Sequence, residues 1–122
     1  MATSLTMKQG DTWTVQINWY NPIAGTTQPD LTSPIDITGY TAKLQIRSEP
    51  GAAGDPVLSL TSGPGGGLTV DGPAGGVSGR ASPAQTAEVP AGIWHWGCEI
   101  DNGTDRHTLV EQMIVVRPQV VT

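Results

Sequence analysis

His95 and His107 are the side chains in this 122-residue chain best suited by type to chemistry. On paired strands each would lie beside a carboxylate, and two imidazoles with a glutamate reach the ligand number of a catalytic zinc site. No His-x-x-x-His pair accompanies them, so they read as solvated His–Glu contacts. Asp101, Asn102 and Asp105 offer oxygens to calcium, but the alternating ligand set and its closing glutamate are missing. Gly63–Gly67 and Gly72–Gly76 are not followed by Gly-Lys-Ser/Thr, so neither cradles phosphate. Gly76-Val77-Ser78-Gly79 misses the spacing of a nucleophile elbow. Cys98 is the only cysteine, which excludes an intrachain disulfide. Its apolar surroundings point to a buried, inert thiol. The expectation is a chain with no catalytic residue, no metal site and no cofactor, not an enzyme.

The elements that would position these residues are strands. Trp13, Val15, Ile17 and Trp19 occupy alternate positions, with Thr14, Gln16 and Asn18 between them. A strand turns successive side chains to opposite faces, so this is one apolar face and one polar face. Tyr40, Ala42, Leu44 and Ile46 repeat the pattern, as do Trp94, Trp96, Cys98 and Ile100. Shorter runs at residues 4–7, 57–60, 68–70 and 77–81 and a return strand over 106–116 bring the total to seven or eight. Asn21–Ser33, polar and proline-rich, reads as a loop. Ser82-Pro83-Ala84-Gln85 carries a capping-box serine, a proline at the first helical position and the matching glutamine, which predicts a single helical turn ended by Pro90. The sixteen glycines and ten prolines punctuate the chain at short intervals, as many strands with tight turns require. The fold class expected is all-β, one domain over residues 1–122: a two-sheet antiparallel immunoglobulin-like sandwich. Trp13, Trp19, Trp94 and Trp96 would form its core with Leu44, Ile46, Leu60 and Leu68.

The hairpin around Asn102-Gly103 admits two registers. A two-residue turn sets Cys98 opposite His107. A three-residue loop sets Trp96 opposite Val110, Glu99 opposite His107 and His95 opposite Glu111. The second keeps polar residues together on the wet face and is the one expected. The return strand carries apolar residues on both faces, Leu109, Met113 and Val115 against Val110, Ile114 and Val116. It is therefore expected to be central, or covered by a partner.

The net charge of −5 and six scattered cations argue against nucleic acid and against anionic membranes. Met1–Gly10 has no apolar core of signal-peptide length, and no run reaches transmembrane length. Synthesis in a reducing cytoplasm is expected, at least initially.

Several segments are similar to a family of small bacteriophage virion β-sandwich proteins. They are Lys8-Gln9-Gly10-Asp11-Thr12-Trp13, Pro34–Ala42, Leu44-Gln45-Ile46-Arg47, Gln85-Thr86-Ala87, Gly92–Glu99 and the segment from Arg117 to Thr122. The chain resembles the collar domains that attach tail fibres and the N-terminal immunoglobulin-like domains of baseplate receptor-binding proteins. The resemblance implies a virion structural protein, a tail, baseplate or fibre-attachment adaptor acting through protein–protein contacts with other virion proteins in a symmetric homo-oligomer. A capsid decoration protein and a carbohydrate-binding module are the alternatives. Contacts are expected from Ala2, Thr3, Ser4, Leu5, Thr6, Met7 and Lys8, either an edge strand or an arm that orders on assembly and can be deleted without unfolding the domain. Further contacts are expected at the flexible tips Gly63–Gly67 and Gly72–Gly76, through Gly65, Gly66 and Pro73, and at the C-terminal Pro118 and Val120.

Overall fold

The computed structural model describes residues 5–48 and 54–119. Ala2, Thr3, Ser4 and Val120 lie outside the described residues. Among the described residues, ten strands and one helical turn follow in order: β1 (Leu5–Lys8), β2 (Trp13–Asn18), β3 (Tyr20–Pro22), β4 (Pro29–Pro34), β5 (Thr41–Arg47), β6 (Leu58–Thr61), β7 (Leu68–Asp71), β8 (Gly76–Ala81), α1 (Pro83–Ala87), β9 (Gly92–Asp101) and β10 (Arg106–Arg117). They form a five-stranded sheet in the order β1-β10-β9-β5-β6, a three-stranded sheet β2-β8-β7, and a separate β3–β4 hairpin. The fold is all-β, as the alternating pattern requires.

Leu44, Ile46, Leu60, Cys98, Ile100, Ile114 and Val116 from the larger sheet are buried in one cluster with Trp13, Leu68, Val77 and Ala81 from the smaller one. Trp13 meets Trp96 edge to face, with ring centroids 6.0 Å apart and planes at 88°. That is a favoured arrangement for two indoles. Trp19 and Trp94 are only half-buried at the margin of the core. The indole of Trp94 donates instead to Pro90 O at 2.9 Å.

Four expectations need correction. First, β1 pairs with β10 in parallel, with Leu5 opposite Ile114 and Lys8 opposite Arg117, so the larger sheet is mixed. Met7 is fully buried in the core. Residues 5–8 are thus a structural strand of the monomer, and Met7 is withdrawn as a contact residue, while Thr6 and Lys8 are exposed. Second, the Asn21–Ser33 segment contains the β3–β4 hairpin, with Tyr20 opposite Pro34 and Pro22 opposite Pro29. Prolines are tolerated there because the pair is isolated and its outer edges need no ladder partner.

Third, neither hairpin register is adopted. The β9–β10 loop has four residues, Asn102–Asp105, and Arg106 stands opposite Asp101. The side-chain oxygen of Asn102 accepts from the amides of Thr104 and Asp105, which fixes the longer turn. A β-bulge between Thr108 and Val110 then shifts the pairing again, setting Val110 opposite Cys98 and Gln112 opposite Trp96. Fourth, the Gly72–Gly76 segment is a packed turn. Gly75 is buried with φ +64°, and a Cβ there would lie 2.5 Å from Ile35 O and 2.6 Å from Trp19 O.

The helical turn forms as expected. Ser82 Oγ accepts from the Gln85 amide and Gln85 Oε1 accepts from the Ser82 amide. Thr86, fully buried, accepts from the Gly10 amide at 3.0 Å and donates to Asp11 O at 2.8 Å. Gln9 Nε2 donates to Val89 O at 2.7 Å. Two of the segments that carry the family resemblance, Gln9-Gly10-Asp11 and Gln85-Thr86-Ala87, therefore meet in space and lock the β1–β2 crossing.

Met7→Ala should destabilise the domain by about 2–5 kcal/mol in urea titration, the usual cost of emptying a core site; an unchanged midpoint would mean that residues 5–8 are not docked. Thr86→Val should cost roughly 1–3 kcal/mol, because the Gly10 amide loses its acceptor. A neutral effect in the same titration would contradict the lock.

Candidate interaction surface

The two histidines lie on opposite faces of the larger sheet. His107 stands opposite the buried Ile100 and turns inward at the rim, with its ring 5.0 Å from Trp19 and 6.2 Å from Tyr40. His95 stands between Arg47 and Met113 on the outer face. The expected pairs Glu99–His107 and His95–Glu111 are absent: Glu99 faces Thr108 and Glu111 faces Gly97. Two imidazoles on opposite sides of a sheet cannot share an ion. Among the described residues, no three His, Cys, Asp or Glu side chains come together.

The carboxylates around the Asn102-Gly103 turn are taken up by the turn itself. Asp101 Oδ1 accepts from the Gly103 amide at 2.6 Å, and its Oδ2 accepts from Arg106 Nη2 at 3.1 Å. These bonds, the amide first, hold the Asp101 carboxyl below its ordinary range. Asp30 and Asp36 are lowered in the same way by the hydroxyls and amides of Thr32 and Thr38. These are turn-forming contacts at exposed sites.

Cys98 is buried between β5 and β10. Burial, with a smaller contribution from the Glu99 charge, pushes its thiol from an ordinary 9.0 up to about 11.

The surface features that stand out are apolar and sit on strands. On the outer face of the larger sheet, Thr6, Val115 and Ile93 form one row across β1, β10 and β9, and Met113, His95 and Arg47 belong to the next pair. Ile93 is 66% exposed and Met113 51%. Diagonal neighbours on one sheet face are within reach of each other, so these two form a patch with the half-buried Val115. Lys8 and Arg117 stand directly opposite each other at its margin, both exposed. Like charges facing across a ladder are unfavourable. No carboxylate among the described residues forms a salt bridge with either; the two ion pairs found there both belong to Arg106.

A second feature is the open side between the two larger sheets. There a groove between β2 and β10 is lined by Thr6, Trp13, Val15, Ile17, Leu109 and Val110, among others. It exists because β1 covers β10 only from Ile114 onward and β2 has no neighbour beyond β8. Trp96 also lines it, and its indole N–H is buried without an acceptor among the described residues. Leu31, 71% exposed, lies on strand β4 of the β3–β4 hairpin.

Of the contact residues read from the sequence, Thr6, Lys8, Gly65, Pro73 and Pro118 are exposed and Gly66 is half-buried. Only Thr6 and Lys8 adjoin the apolar patch. Ile93, Met113 and Leu31 were not singled out by sequence, although the two-faced apolar pattern of residues 106–116 carried the signal for Met113. No family model matches the chain, and no curated protein matches it.

Cys98 should react with a disulfide reagent at pH 8 only on unfolding, since about one native thiol in a thousand is ionised there. Above pH 9.0 the unfolded thiol loses a proton that the native one keeps up to about 11, so stability should fall across that window. Rapid native labelling would contradict both.

Proposed function

We propose that this chain is a structural component of a bacteriophage virion, a tail, baseplate or fibre-attachment adaptor with an immunoglobulin-like sandwich fold and no enzymatic role. It works by binding other virion proteins. The observation that carries this is the apolar patch of Ile93, Met113 and Val115 on a regular sheet face. An exposed cluster of large apolar side chains rimmed by charge marks a protein-binding surface. The facing cations Lys8 and Arg117 specify the rim of the partner: a carboxylate placed against them relieves their repulsion. The resemblance of Lys8–Trp13 and Gln85–Ala87 to virion proteins supports the same reading, since these residues build the crossing that brings Lys8 to the patch.

Carbohydrate binding is the second reading. It is favoured by one observation, the half-buried aromatic group of Trp19, Tyr40 and His107, whose rings could stack on a sugar.

The test is incorporation. Particles produced from the genome that encodes this chain should contain it, and electron microscopy with a labelled chain should place it on the tail. Ile93→Asp with Met113→Asp should lower its copy number per particle at least tenfold while the thermal midpoint of the isolated domain stays put. Unchanged copy number would remove the patch as the docking surface. A chain missing from purified particles would overturn the virion role, and label on the capsid surface would replace the adaptor with a decoration protein.

A further inference from the structure

The smaller sheet ends in β2, and this edge differs from the others. Strand edges are usually kept from pairing by charge, proline or shortness. β1 and β6 have four residues each, and β7 has four and ends in Asp71. β2 has six, and from Thr12 to Tyr20 the chain contains no charged residue and no proline.

The hydrogen-bond phase of this edge is fixed by its neighbours. The Trp19 amide donates to Gly75 O at 2.9 Å, and Ile17 stands opposite Val77. Antiparallel partners alternate between bonded and non-bonded pairs, so Val15 and Ile17 turn their backbone groups toward β8. The Arg80 amide donates to Gly67 O at 2.9 Å on the far side of β8, which gives the same phase independently. The amides and carbonyls of Thr14, Gln16 and Asn18 therefore point out of the sheet.

We propose that this edge binds the same edge of a second copy of this chain, antiparallel, about a two-fold axis through Gln16. Gln16 then faces Gln16 of the second copy and Thr14 faces Asn18. This register pairs all three outward-pointing residues of β2 with one another, two hydrogen bonds to each facing pair. The same register sets Val15 opposite Ile17 and Trp13 opposite Trp19 on the inward face. β-Branched and aromatic residues are favourable cross-strand partners, and no like charges meet. The two smaller sheets become one sheet of order β7-β8-β2-β2-β8-β7. The inward side chains of the added strand lie over the groove whose half-buried residues are Val15, Ile17, Leu109 and Val110. A two-fold interface must be self-complementary, and this strand is. The inference gives the expected homo-oligomer a surface, and it stands on a different part of the molecule from the docking patch.

Sedimentation velocity of the full chain over a range of concentrations tests it. The wild type should form a dimer. Gln16→Lys and Gln16→Glu should each weaken it at least tenfold, by setting like charges face to face on the axis. An equimolar mixture of the two variants should restore the dimer, because opposite charges then meet. Thr14→Glu mixed with Asn18→Lys should complement in the same way, and circular dichroism should show every variant folded, since these side chains are exposed. A wild type that stays monomeric throughout, a dimer indifferent to charge at residue 16, or a mixture that fails to reassociate would each overturn the pairing. A monomeric wild type that is still incorporated into particles would sink this interface and leave the virion role standing.

Discussion

The contact on which this molecule depends is the edge-to-face packing of Trp13 on Trp96, 6.0 Å between centroids. Trp13 opens β2, the last strand of the smaller sheet, and Trp96 sits in the middle of β9. Without this pair, β2 would be held by its ladder to β8 and by the half-buried Val15 and Ile17 alone, with Trp19 packing just beyond its end. With it, an edge strand is pinned over the larger sheet while its outer backbone groups stay free. The chain contains no phenylalanine, so indole rings carry the aromatic volume that joins the layers.

From that constraint the two faces of function separate. The larger sheet is closed on its inner side by the core and presents Ile93, Met113 and Val115 outward on a rigid, hydrogen-bonded surface. Its parallel strand β1 brings Lys8 and Thr6 to the margin of that surface, and β1 is held by Met7 in the core and by the Thr86 lock on the following turn. The smaller sheet, three strands wide, leaves part of the inner face of the larger one uncovered. A surface of fixed apolar residues suits a partner of different sequence, whereas an uncharged strand edge with a symmetric pattern suits a copy of itself.

Much of this was legible in the residues and some of it was not. Strands with clean alternation, residues 13–19, 40–47 and 93–100, could be read because one buried face leaves a period of two in the sequence. The capping box at Ser82 was legible because its hydrogen bonds are local. The β9–β10 register was not. It depends on a four-residue turn held by Asn102 and on a bulge at Leu109, and a bulge leaves no periodic trace; a shift of one residue was enough to turn His107 inward against Trp19. The parallel pairing of β1 was hidden for a different reason. Four residues, Leu5 to Lys8, carry too short a pattern to name a partner strand more than a hundred positions away. The β3–β4 hairpin was masked by its prolines, which normally argue against strands. The patch at Ile93 and Met113 was visible only in part, because it is assembled from two strands whose alignment the bulge decides.

The central claim is that β2 is anchored on one side and unpaired on the other within the single chain. Residue-resolved amide hydrogen exchange tests it most directly. In dilute solution, the Val15, Ile17 and Trp19 amides, bonded to β8 and its turn, should exchange slowly, and those of Thr14, Gln16 and Asn18 should exchange fast. Slow exchange of all six at every concentration would show that the edge is already covered by the chain itself, and fast exchange of all six would show that the strand is not held on the core; either result contradicts the account.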